Sequence, residues 1–176
     1  MAKVNVIFSD SLKDLAKKLG TSVENAATDA ELLRAGDQMI NNMKEKISRG
    51  ISPIQGQLRF PSYKGSYLSS IERGRRIKGS DGSKSRKSSR PVNLTVSGAF
   101  LDALDVKISQ KDLILGFFDK KNIDIELGHR DGANNQGKRP IIPIEKENFK
   151  ADINQILVNT IKAAVKRKFG IVTGKF

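Results

Sequence analysis

Few residue types in this chain could do chemistry. Its 176 residues include no Cys and one His, His129. Disulfides, thiol nucleophiles, iron–sulfur ligation and zinc-finger ligand sets are therefore excluded. What stands out instead is cationic: Arg73, Arg75, Arg76 and Lys78, then Lys84, Arg86, Lys87 and Arg90. Guanidinium and ammonium groups at that density suit phosphates or acidic protein surfaces, which they recognise by charge and not by base identity. Between Arg49 and Val92 eleven basic residues stand against two acidic ones, Glu72 and Asp81, so this stretch supplies +9 of the net +13. Aromatic interleaving is sparse, because Phe60, Tyr63 and Tyr67 all precede the densest charge, and single-strand readout by base stacking is not expected.

Three catalytic arrangements can be drawn and each has a plainer reading. His129 lies beside Arg130 and Asp131, as a general base oriented by a carboxylate would. Without a GxSxG element or a second His it reads as a turn residue or a hydrogen-bonded cap. Asp124 with Glu126, or Glu145 with Glu147, could pair on a strand face to hold the Mg²⁺ of a nuclease, but no further ligands converge on either pair. Gly65, Gly74 and Gly79 lack the spacing of a phosphate-cradling loop. The expectation is a non-enzymatic protein with no cofactor and no metal.

The elements that would position these residues follow from periodicity. Val4, Val6 and Phe8 alternate as a short strand, and Leu12, Leu15, Ala16 and Leu19 recur at helical spacing before Gly20. Thr28 and Glu31 form a capping box for a helix striped by Leu33, Gly36, Ile40, Met43 and Ile47 and ended by Arg49 and Gly50. Ser97 can cap a short helix carrying Phe100, Leu101 and Leu104. Val106 to Ile108 and Leu113 to Phe118 read as a hairpin turning at Gln110, Lys111 and Asp112. Asn122 to Leu127 is compatible with either a strand or a short helix. Gly128 to Lys138 reads as a polar loop turning at Asp131 and Gly132, and Pro140 to Ile144 as an edge strand whose prolines remove ladder donors. From Lys146 to about Phe169, Phe149, Ile153, Ile156, Leu157, Ile161, Ala164 and Val165 mark the apolar face of a long helix. Lys162, Lys166, Arg167 and Lys168 crowd its C-terminal turns, where the helix dipole favours cations.

Two long amphipathic helices with strands between them and no βαβ alternation predict an α+β fold with an antiparallel sheet. At this length, residues 1–176 are expected to form a single domain with its own core. The basic stretch 49–92 reads as an extended arm inserted within it. Its part from Gly79 to Arg90 has no apolar residue and cannot offset its own ordering entropy. No apolar run approaches the ~20 residues of a membrane helix. The chain therefore reads as soluble, made in the cytoplasm and without a membrane partner.

Several short elements, taken in order, resemble one protein family. They are Ser52-Pro53 with Tyr63 and Tyr67 ahead of the basic stretch, then Pro91-Val92-Asn93-Leu94-Thr95 followed by Ser97-Gly98, Leu101 and Leu104. After a two-strand hairpin come His129 to Gly132 and Arg139-Pro140 leading toward a terminal helix. From about Met39 to Phe169 the chain resembles the tail-completion or virion-morphogenesis proteins of tailed bacteriophages, which sit at the neck where the head meets the tail. It departs from them after the Arg-Pro pair, where the family often carries an aromatic and Gly-containing segment and this chain has Ile141-Ile142-Pro143-Ile144.

The resemblance implies a structural virion protein, made in the host cytoplasm, that forms a cyclic ring of six or twelve copies. Its neighbours would be connector, neck or tail-tube proteins, with the arm reaching an adjacent ring or genomic DNA in the lumen. A subunit-contact role for Arg139 also rests on the resemblance. The residues by themselves leave a second reading, a stand-alone protein that binds nucleic acid without sequence preference.

Overall fold

The computed structural model describes residues 26–72, 88–94, 98–109, 112–132 and 136–169. The strand expected at 3–8 and the helix expected at 12–19 lie outside them. The described residues form an α+β fold of five helices and one antiparallel hairpin. In order the elements are α1 (Asp29–Ser48), α2 (Gly65–Glu72), α3 (Ala99–Asp102), β1 (Asp105–Ser109), β2 (Asp112–Gly116), α4 (Lys120–Asp131) and α5 (Ala151–Phe169).

Helix α1 begins at the expected capping box. The Thr28 hydroxyl accepts from the Glu31 amide at 3.3 Å and the Glu31 carboxylate accepts from the Thr28 amide at 2.9 Å. Ala35, Gly36, Met39, Ile40, Met43 and Ile47 form its buried face. Leu33, expected in that stripe, stands at its exposed margin. The facing side of α5 is Ile153, Leu157, Ile161, Ala164 and Val165. Lys46 near the end of α1 pairs with Asp152 near the start of α5, while Glu31 at the start of α1 pairs with Arg167 near the end of α5. The two helices therefore run antiparallel, with an ion pair at each end of the seam.

Strands β1 and β2 pair in register from Asp105 opposite Gly116 to Ser109 opposite Asp112. A two-stranded hairpin is marginal alone and needs a helix against its apolar face. Here Val106, Leu113 and Leu115 are buried beneath it and α1 supplies the cover. The approach is close: a Cβ on Gly36 would lie 2.5 Å from Val106 Cγ1. Phe100 of α3 stacks on Phe117 with ring centroids 4.7 Å apart. Helix α3 is preceded by Gly98 at φ 100°, which caps it without a side-chain bond; Ser97, expected as the cap, lies outside the described residues.

Two expectations between the hairpin and α5 are corrected. The stretch around 122–127, open to strand or helix in the sequence, and the first four residues of the loop expected after it form α4, with Asp119 capping the Asn122 amide at 2.9 Å and Gly132 ending the helix at φ 74°. Gly132 is thus a helix C-cap, not the turn of a polar loop. The edge strand expected over 140–144 does not form, and its amides are met by carboxylates instead of a neighbouring strand. Ile141 and Ile142 donate to Glu126, and Ile144 donates to Glu147. The last helix also starts later than its pattern suggested, at Ala151, because Phe149 is bridged to Ile54.

Candidate functional site

The arm expected over 49–92 divides into parts. Its first part is packed on the body. Gly50 leaves α1 at φ 73°, so close to the returning chain that a Cβ would lie 2.9 Å from Pro91 Cβ and 3.1 Å from the Val92 carbonyl oxygen; glycine is needed on both counts. Ile51 bridges Arg59, Ser52 donates its amide to the Leu58 carbonyl at 3.0 Å, and Phe60 donates to the Gly50 carbonyl at 2.8 Å. These bonds close 51–59 into a tight loop. Ser52 is buried, its hydroxyl donating to the Pro140 carbonyl at 3.1 Å and accepting the Ile54 amide at 3.2 Å. Pro53 is buried too, and its carbonyl accepts the Lys150 amide at 2.8 Å. Helix α2, which periodicity did not suggest inside a stretch read as an arm, follows directly.

Arg139 ties this stretch to the body. It is 2 % exposed. Its Nε and Nη2 donate to the Pro61 carbonyl at 3.1 and 2.8 Å, Nη2 also reaches the Ser62 carbonyl at 3.2 Å, and Nη1 donates to the Gly137 carbonyl at 3.1 Å. The guanidinium carbon lies 4.4 Å from the Tyr63 ring centroid, a cation–π arrangement. Burial lowers the guanidinium pKa from its ordinary value, and burial raises those of the Tyr63 and Tyr67 phenols. Only the planar fork of arginine can span these carbonyls while lying flat on a ring.

The same knot holds the other end of the basic stretch. The Tyr63 hydroxyl donates to the Asn93 carbonyl at 2.9 Å, and the Asn93 side-chain oxygen accepts the Ser88 amide at 2.8 Å. Tyr67 packs edge-on to Tyr63 with centroids 5.1 Å apart. The Lys64 amide donates to the Gln136 side chain at 2.9 Å. Residues 64–72 lead toward 73–87 and residues 88–94 return from it, so the two flanks of the cationic stretch are tied to one buried cluster, through Tyr63 and Tyr67 on one side and Asn93 on the other. Arg73, Arg75, Arg76, Lys78, Lys84, Arg86 and Lys87 lie outside the described residues; Arg90 is described and exposed.

The remaining residues singled out in the sequence fall into two groups. Ser52, Tyr63, Tyr67, Asn93, Arg139 and Pro140 meet in the knot, and His129 joins through its backbone, its carbonyl accepting the Arg139 amide at 2.7 Å. The His129 ring tilts against Phe100 with centroids 5.5 Å apart. Gly132 sits against Gly137 and Lys138, where a Cβ would lie 3.1 Å from the Gly137 carbonyl carbon. Leu94, Leu101 and Leu104 are core residues, Pro91 is exposed, and Thr95 lies outside the described residues.

The carboxylates weighed as nuclease pairs do not converge. On a helix, neighbours two apart point to different sides. Asp124 is exposed and paired with Lys120 at 2.8 Å, whereas Glu126 is buried and accepts the amides of Ile141 and Ile142 at 3.0 and 3.1 Å. Glu145 is exposed, and Glu147 accepts from Arg130 at 3.0 Å. Among the described residues no group of three or more His, Asp or Glu side chains is placed to hold a metal ion, and no helix is long and apolar enough to cross a membrane.

Sequence reasoning missed the work of Glu126. The usable signal was Ile141 and Ile142 between two prolines, whose amides need an acceptor once no strand is available. Comparison of the chain with family models, with curated proteins and with solved structures finds no match.

Proposed function

We propose that this chain is a non-enzymatic structural protein of a tailed-phage virion, a ring-forming neck or tail-completion component that joins head and connector to tail. The family is suggested by the ordered motifs of the sequence. One observation supports the division of labour: the two flanks of the cationic stretch meet in the Arg139–Tyr63–Asn93 knot. A rigid base of that kind presents a basic segment to a neighbouring surface while the α+β body makes the ring contacts. In a lumen its contacts would be to phosphates, because genome of any sequence must pass.

The test is assembly. Mass photometry or negative-stain microscopy of the purified chain, with and without virion neck and tail proteins, should reveal cyclic oligomers of six or twelve copies that join particles. A chain that stays monomeric and never enters particles overturns the reading.

The charge of the basic stretch also favours a second reading, a stand-alone protein that binds nucleic acid without sequence preference. With about six phosphates contacted, affinity should fall by around 10³ between 50 and 200 mM salt. Replacing the seven basic residues between Arg73 and Lys87 with Ser should remove most of that dependence. Absence of DNA and RNA binding at low salt eliminates this reading and leaves the ring untouched.

A further inference from the structure

Glu126 occupies a position that a carboxylate fills only under constraint. It projects from α4 beneath the 140–147 stretch and is 7 % exposed. Oε1 accepts both the Ile141 and Ile142 amides, while Oε2 is buried with no hydrogen-bond partner among the described residues. Among the described residues two charged groups face it. On its own helix Arg130 comes no nearer than 3.8 Å, its guanidinium being committed to the Ile142 carbonyl and to Glu147. From the covering stretch, Glu147 adds a like charge and holds the Ile144 amide at 3.0 Å. The nearby His129 ring lies against Phe100, and Arg139 aims at Pro61 and Ser62.

We propose that Glu126 is a proton-sensitive latch for the 139–144 stretch: the neutral acid stays closed beneath it, and the ionised carboxylate drives it open. The neutral form keeps both amide bonds on Oε1 and places its proton on Oε2, the atom that has no donor of its own. The ionised form leaves one oxygen bearing charge without a hydrogen bond in a dry site, a cost that opening to water relieves. Burial is the first cause of a carboxyl pKa pushed up to about 7, from an ordinary 4.5, so the change falls near neutral pH.

Opening is transmitted. Ile141 and Ile142 follow Arg139 in sequence with only Pro140 between, and Arg139 holds the 61–63 stretch. Releasing the latch therefore loosens one root of the basic stretch. The device belongs to the fold of the isolated chain and does not depend on the virion reading.

Hydrogen exchange of the full chain, followed by NMR at the Ile141, Ile142 and Arg139 amides and corrected for intrinsic rates, tests it. Between pH 5.5 and 8 the opening equilibrium should rise by on the order of tenfold or more, levelling above pH 7. In Glu126→Gln the slope should vanish at all three amides. Opening that is independent of pH in the wild-type chain, or a slope that survives E126Q, overturns the proposal. Should E126Q fail to fold, the ¹³C carboxyl titration of Glu126 in the unaltered chain decides: a midpoint near 7 supports the latch and one near 4.5 refutes it.

Discussion

The Arg139 guanidinium lies flat against the Tyr63 ring, 4.4 Å from its centroid, and the hydroxyl of that ring donates to the Asn93 carbonyl 2.9 Å away. One buried cation thus organises segments around positions 61, 93 and 139, which are distant in sequence. Among the described residues it does so without a carboxylate partner, since backbone carbonyls accept its bonds.

Truncating Arg139 should be among the most damaging single changes in the molecule. Arg139→Met removes the bonds to Pro61, Ser62 and Gly137 and strands buried carbonyls, for an expected loss of about 2–4 kcal/mol by urea denaturation. Arg139→Lys keeps the charge but not the fork, and should recover less than half of that loss.

Tyr63→Phe is a finer probe. The ring remains against Arg139 while the bond to Asn93 disappears, so stability should fall by about 0.5–1.5 kcal/mol. Amide protection at 88–94 should drop more than at 51–60, because only the returning flank loses its tie.

Two carboxylates give the stability of the chain opposite pH limbs. Hydrogen bonds from Arg167 and the Thr28 amide hold Glu31 down to about 2. Its contribution is therefore full above its ordinary pKa of 4.5 and is lost as pH falls toward 2. Glu126 has a folded pKa raised to about 7. Ionisation is disfavoured in the folded state, so stability from this group is greatest below 4.5, declines as pH rises to 7 and is level above. Thermal melts should peak in the mildly acidic range, with Glu31→Gln flattening the acid limb and Glu126→Gln the limb below neutrality. An E126Q profile that still declines from pH 5 to 7 as in the wild type assigns that limb to another group.

Gly36 tests the seat of the hairpin. Ala is the better helix former by about 1 kcal/mol, but its methyl would collide with Val106, 2.5 Å from Cγ1. Overpacking of this kind costs about 1–3 kcal/mol, so Gly36→Ala should destabilise the chain on balance. Val106→Ala on that background should restore most of the loss, and the double-mutant cycle reports the coupling.

What was legible in the sequence was what local pattern controls. The Thr28–Glu31 box, the stripe of Gly36, Ile40, Met43 and Ile47, the hairpin and the apolar face of α5 are each set by the pattern of their own element, and these carry the α+β fold. Illegible was whatever is stabilised across long separations. The stretch 50–63 looks like part of a basic arm because its anchors, Pro140, Arg139 and Asn148, lie about eighty to ninety positions away. Ile123, Ile125 and Leu127 alternate like a strand, yet the Asp119 cap and the Gly132 stop make the segment helical. Of the candidate site, the motif positions were legible and many of them do meet; that Arg139, one of them, would be buried at their centre was not, because charge in a sequence carries no sign of burial.

The seam between α1 and α5 joins residues as far apart as Glu31 and Arg167, 136 positions along the chain. A nascent polypeptide therefore lacks the α5 side of this seam, Ile153 to Val165, for the whole time that α1 and the hairpin are being made. Such distant closure makes folding slow and leaves the greasy side of α1 available to chaperones or to strangers in the meantime. Expression yield should accordingly respond more to translation rate and chaperone supply than the modest size of the molecule suggests.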